Sequence, residues 1–135
     1  MAEDKIIHAH VTETEESAYS VDIEVSGHHI KGDEPVESGG GNLGPSPFDM
    51  LLAALGECTT ITVRWYAKRQ NWPLDKVEVK LTHQKENKVD TYTKQVILHG
   101  DQLSEEQRAK LLDVAAKCPV QRALEGTPVI TTTLS

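Results

Sequence analysis

The stretch from Ser46 to Gln70 constrains the fold more than any other part of the chain. Ser46 can cap a helix, Pro47 suits the first helical position, and Asp49 completes a capping box with Asp in the usual Glu place. The run Met50, Leu51, Leu52, Ala53, Ala54, Leu55 then continues without a breaker until Trp72 and Pro73. Leu51, Ala54, Leu55, Cys58, Thr62 and Trp65 recur at spacings of three and four, so they share one apolar face. A long helix of this kind must cover that face with something else.

Strand patterns flank it. Ile6 to Glu13 and the alternating Tyr19, Val21, Ile23, Val25 read as a hairpin, with a short third strand within Gly27 to Gly32. Asp33 to Pro45 is loop-like and rich in glycine. Beyond the helix, Val77, Val79 and Leu81 alternate with charged residues, Asn87 supplies a turn, and Thr91 to His99 forms the next strand. Ser104 and Gln107 make a second capping box ahead of Leu111, Leu112, Ala115 and Ala116. That helix breaks at Pro119, which places Cys118 at its end. A helical turn from Gln121 to Glu125 leads to a last β-branched strand, Val129 to Thr133. The order is β-β-β-α-β-β-α-β, an α+β class, and 135 residues suit one domain over 1–135.

Charge and length exclude some functions. A net charge of −7 without any run of Lys and Arg argues against a nucleic-acid partner and against docking on anionic membranes. No segment approaches the roughly 18 apolar residues of a membrane span, and the charged N-terminus lacks the apolar stretch of a signal peptide. The expectation is a cytoplasmic protein. In that reducing compartment the 2 cysteines are redox-active, catalytic or simply buried, rather than a structural staple.

Cys58 lies about three turns into its helix, too deep for the helix dipole alone to lower its pKa. To react, it needs a cation or hydrogen-bond donor from another segment; otherwise it is a small hydrophobe in a core. Cys118 is expected at a helix end, partly accessible and able to move. The two could meet only if their helices pack together. His8, His10, His28 and His29 raise the idea of a metal, but their spacing matches no known ligand set, and no metal or other cofactor is expected. The glycines from Gly39 to Gly44 lack the pattern of a phosphate or dinucleotide loop.

Two motifs carry a family resemblance. GPSPFDMLLAALGEC, Gly44 to Cys58, resembles the opening of the central helix of the OsmC/Ohr family, which carries the peroxidatic cysteine. KCPVQRAL, Lys117 to Leu124, is similar to the Cys-Pro step that carries the resolving cysteine. The segment TVRWYAKRQNWPL is typical of one branch of that family. The resemblance implies an intertwined homodimer, two antiparallel sheets wrapped around central helices, with an active site at each subunit interface. It also implies reduction of an organic hydroperoxide: Cys58 becomes a sulfenic acid, Cys118 condenses it to a disulfide, and a dithiol reductant restores both thiols.

The family holds its thiolate with an Arg from the N-terminal strands, paired with an acid at the start of the central helix. This chain has no Arg before Arg64, and Phe48 stands at the family's acid position with Asp49 one place later. Asp49 is therefore the candidate acid, and Lys31 or a histidine the candidate cation. Two other functions fit the same residues: a non-enzymatic dimer that binds a small apolar ligand or senses redox state, and a metal-binding stress protein.

Overall fold

The structure is a computed structural model that describes residues 5–135. Its elements are β1 (Ala9–Glu13), β2 (Val21–Val25), β3 (His28–Gly32), a 3-10 turn (Val36–Ser38), α1 (Pro47–Gln70), β4 (Lys76–Glu86), β5 (Val89–His99), α2 (Glu105–Ala115) and α3 (Pro119–Glu125). The mixed α+β class and the two antiparallel sheets match the reading of the sequence. The chain forms two compact units, Met1–Leu51 and Leu52–Ser135.

The first unit is a meander in the order β1-β2-β3. Val11 pairs with Ile23 and Ile23 with Ile30, a row of β-branched residues across all three strands. The β2–β3 hairpin closes through Ser26 and Gly27, both at positive φ, the backbone that a two-residue turn of this twist requires. The glycine-rich segment is a loop, as expected, built around one side chain. It wraps Asp33, which is 3% exposed. The Asp33 carboxylate accepts Ser17 Oγ at 2.8 Å and the N–H groups of Glu34, Gly41 and Leu43 at 2.7, 3.0 and 3.3 Å. Burial alone would raise its pKa; the hydrogen bonds outweigh that and hold the carboxyl below its ordinary range. Glycine is obligatory at Gly40, where an added Cβ would sit 2.1 Å from the Glu34 carbonyl oxygen.

The second unit holds the larger core. Val63 and Ala67 of α1, Leu74, Leu103, and Leu111 and Ala115 of α2 form one buried cluster. Val77 of β4 and Val96 and Leu98 of β5 pack against it. β4 and β5 pair over their full length, and Asn87 (φ 51°) and Lys88 (φ 65°) make the two-residue turn between them. The turn was expected at Asn87; the strands run longer than the alternation alone suggested. α1 approaches this hairpin at Gly56, where an added Cβ would lie 2.7 Å from Leu81 Cδ1. Arg64 secures the chain after α1, donating to the carbonyls of Leu74 at 2.7 Å and Asp75 at 3.2 Å.

Three expectations need correction. The expected face of α1 divides: Leu55 and Thr62 are buried, whereas Trp65 is 50% exposed. The buried stripe instead follows Leu55, Thr59, Val63 and Ala67, because this unit's core lies on that side. Val129 to Thr133 forms no strand within the chain, and Val129 is 93% exposed. A β-branched sequence supplies propensity but not pairing, and none of the described strands pairs with it. Cys118 is neither the last residue of α2 nor accessible. α2 ends at Ala115, and Cys118 is the N-cap of α3 with 0% exposure.

Candidate functional site

α1 is started by the capping box expected from sequence. Asp49 accepts the Ser46 N–H at 2.9 Å, and Ser46 Oγ accepts the Asp49 N–H at 3.3 Å. The hydrogen bonds from Ser46 hold the Asp49 carboxyl below its ordinary range. Asp49 is exposed, and its carboxylate serves the helix start.

Further along α1, Cys58 and Thr59 face the junction of α2 and α3. The Pro119 break turns the chain there, as the residue before a proline leaves the helical region. Cys58 is half-buried; its sulfur accepts the Val120 N–H at 3.4 Å and lies 4.0 Å from Thr62 Oγ1. Cys118 Sγ lies 3.5 Å from Thr59 Oγ1. Both thiols are free, and each is close enough to act on the other's ionisation. The structure thus brings together the pair that sequence reasoning singled out.

The cation beside the pair is Lys94 of β5, which sequence reasoning missed. Its Nζ donates to Thr59 Oγ1 at 2.9 Å and to the Ala115 carbonyl at 2.7 Å. Lys31, the cation anticipated, is engaged by Glu16 in the N-terminal unit. The signal for Lys94 is its phase. On β5 Tyr92, Lys94, Val96 and Leu98 alternate onto the half-buried side, so a lysine sits in an otherwise inward-facing row. Such a position implies a partner for the ammonium.

The two thiols differ. Burial pushes the Cys58 thiol up, and its neighbour Cys118 pushes it further, more than the Val120 N–H and Thr62 bring it down. Burial also acts upward on Cys118, but Thr59, the Gln121 backbone N–H, Cys58 and, least, the charge of Lys94 together bring it below the ordinary thiol value. The two shifts run in opposite directions, Cys58 up and Cys118 down, because Cys118 alone has the Thr59 hydroxyl and the Lys94 charge beside it. Lys94 itself is pushed down by burial and up by Cys118, Cys58 and Glu125.

A cavity of about 710 Å³ opens beside Lys94, with apolar walls from Leu55, Val96, Leu112 and Leu124. Gln121 also lines it, and its Oε1 is buried without a hydrogen-bond partner. The histidines go elsewhere: His10 pairs across β1–β2 with Glu24, and His29 Nδ1 lies 3.6 Å from the same exposed Glu24. Among the described residues, no three His, Cys, Asp or Glu side chains cluster as a metal site. No described helix is long and apolar enough to cross a membrane.

The α+β fold carries one free thiol on its long helix and a second at a Cys-Pro helix break. The chain belongs to the OsmC family, described as OsmC-like protein, whose profile matches residues 39–133. Among curated proteins no sequence matches it. Its fold is similar to an OsmC-like protein from Mycoplasma pneumoniae, at TM-score 0.77 and 20% identity over 92% of this chain and 90% of that one. An organic hydroperoxide resistance protein OsmC from Legionella pneumophila superposes at TM-score 0.67, 17% identical and covering 93% of both chains. The organic hydroperoxide resistance protein OhrB of Bacillus subtilis gives TM-score 0.62 at 17% identity, over 90% of this chain and 92% of that one.

Proposed function

We propose that this protein is a thiol-dependent peroxidase that reduces organic hydroperoxides through Cys58 and Cys118. One observation carries the reading: two free thiols from separate helices meet beside a lysine, with unequal exposure and unequal acidity. The hydroperoxide resistance proteins of the same fold support the substrate class.

The roles follow from exposure. Cys118 is sealed at 0%, so a peroxide meets the partly exposed Cys58. The Cys118 thiolate takes the Cys58 proton, and the Cys58 thiolate attacks the peroxide's distal oxygen. The O–O bond breaks, leaving a sulfenic acid on Cys58 and an alkoxide. The alkoxide takes the proton held on Cys118 and departs as the alcohol. The restored Cys118 thiolate attacks the Cys58 sulfur, the S–O bond breaks, and hydroxide leaves to become water. A dithiol reductant then restores both thiols. Asp49 enters as a positioning residue, fixing the start of the helix that carries Cys58. No cofactor enters the cycle. The cavity beside Lys94, walled by Leu55, Val96, Leu112 and Leu124 and lined by neither cysteine, suits an apolar organic group.

The experiment is direct. One equivalent of cumene hydroperoxide is expected to consume both thiols and yield a Cys58–Cys118 disulfide, read by intact mass and peptide mapping. Thiols that persist through this treatment would remove the reading.

The active unit in this reading is a cytoplasmic homodimer. Ile61 and Trp65 of α1 are 52% and 50% exposed, and Val129, Ile130 and Leu134 more so, a load of apolar surface that association would cover. The unfolding midpoint is expected to rise with protein concentration, since a partner that binds only the folded state stabilises it by mass action. A monomer by sedimentation at micromolar concentration, with a midpoint that does not move, would rule the dimer out.

A further inference from the structure

We propose that Lys94, acting through Thr59, is the positioning residue that gives the cysteine pair its direction: it holds Cys118 as the leaving thiolate, so the reductant attacks Cys58. The inference rests on the proposed disulfide cycle and deepens its reductive half.

Thr59 is the pivot. Its oxygen accepts from Lys94 Nζ at 2.9 Å, and it lies 2.8 Å from the Leu55 carbonyl and 3.5 Å from Cys118 Sγ. A hydroxyl has one hydrogen to give. When Cys118 is a thiol or part of a disulfide, that hydrogen goes to Leu55. When charge develops on Cys118, the hydroxyl turns to the sulfur, and Lys94 polarises it from behind. The ammonium has a second anchor, the Ala115 carbonyl at 2.7 Å, so it is held in place before any charge appears. Preorganised donors of this kind cost no rearrangement when charge forms. The charged and titratable groups acting at this point are Lys94 from β5, Glu125 from α3 and Cys58 from α1.

Thiol–disulfide exchange is governed by which sulfur is reachable and which thiolate leaves more readily. Both considerations select the same polarity here. A reductant thiolate forms a bond to Cys58 Sγ, the Cys58–Cys118 bond breaks, and its electron pair goes to Cys118 Sγ. The reductant's second thiol, deprotonated, then attacks the reductant sulfur of the mixed disulfide. Cys58 leaves as a thiolate and takes a proton, and the reductant departs as its own disulfide. Two electrons have passed from the dithiol to the pair.

The test starts from protein oxidised with diamide, so the disulfide is made without hydroperoxide. Glutathione, a monothiol that stalls at the mixed disulfide, is added, the mixture is acid-quenched, and peptides are mapped. The adduct is expected on Cys58; an adduct on Cys118 would overturn the inference. Lys94→Met should slow reduction by dithiothreitol roughly three- to tenfold, and Lys94→Arg should restore most of the rate. A further readout separates electrostatics from packing. In the Cys58→Ser background, the thiolate absorbance of Cys118 should titrate at higher pH with Lys94→Met and return with Lys94→Arg. A Lys94 that merely pins the Ala115 carbonyl would leave this titration unmoved, and that result also overturns the proposal. If diamide joins the sulfurs but hydroperoxide does not, only the peroxidase cycle fails. If neither joins them, both readings fall.

Discussion

Replacing Cys58 with serine is expected to bring hydroperoxide consumption down to the uncatalysed background, a loss on the order of 10³-fold or more. Serine keeps the size of the side chain but offers no sulfur to carry the transferred oxygen. Cys118 survives in this variant with Lys94 and Thr59 beside it, yet at 0% exposure it does not meet the peroxide. Cys118→Ser should behave differently. Cys58 then loses the neighbour that raises its pKa, so its alkylation inflection should move to lower pH. The variant should complete one oxidation and stop, because nothing condenses the sulfenic acid. One equivalent of hydroperoxide followed by intact mass reads both variants. Equal failure of the first turnover in the two would sink the assignment of roles, and a fully active Cys58→Ser would exchange them.

Much of this site was legible in the sequence because its strongest determinants are local. The Ser46–Asp49 box and the Cys118-Pro119 step are statements about a few adjacent residues, and both hold. So does the hairpin turn at Asn87, whose φ of 51° suits asparagine. What escaped depends on distant partners. Cys118 was expected to be partly accessible because a helix end usually is, but it is 0% exposed and packs against Thr59 of α1. Lys94 was readable as a lysine in an inward row, though nothing local says that Thr59 and Ala115 receive it. The Val129–Thr133 strand failed for the opposite reason: local propensity was present, but none of the described strands pairs with it. Periodicity placed Cys58 on an apolar face, but which of two neighbouring stripes faces the core was decided by Leu111 and Leu103 from the other side.

That dependence makes Leu111→Ala the largest expected loss of stability. Leu111 is 0% exposed at the centre of the cluster formed by Val63, Ala67, Leu74, Leu103 and Ala115. Removing three carbons leaves a cavity whose walls come from α1, α2 and the segments that follow α1 and β5, none of which can collapse far. Such a change costs about 2–5 kcal/mol, against a total stability of about 5–15 kcal/mol for a domain. The consequence reaches the thiols through one link. Leu111 and Ala115 lie a turn apart on α2, and the Ala115 carbonyl is an anchor of Lys94. Loosening that turn frees the ammonium from its fixed position and opens the packing that seals Cys118. Urea unfolding should show the lower midpoint, and Cys118, inert in the parent, should become alkylatable under native conditions. A midpoint shift worth less than about 1 kcal/mol would mean that α2 does not hold this core together. A large shift with Cys118 still sealed would instead show that the thiol is protected by α1 and α3 alone.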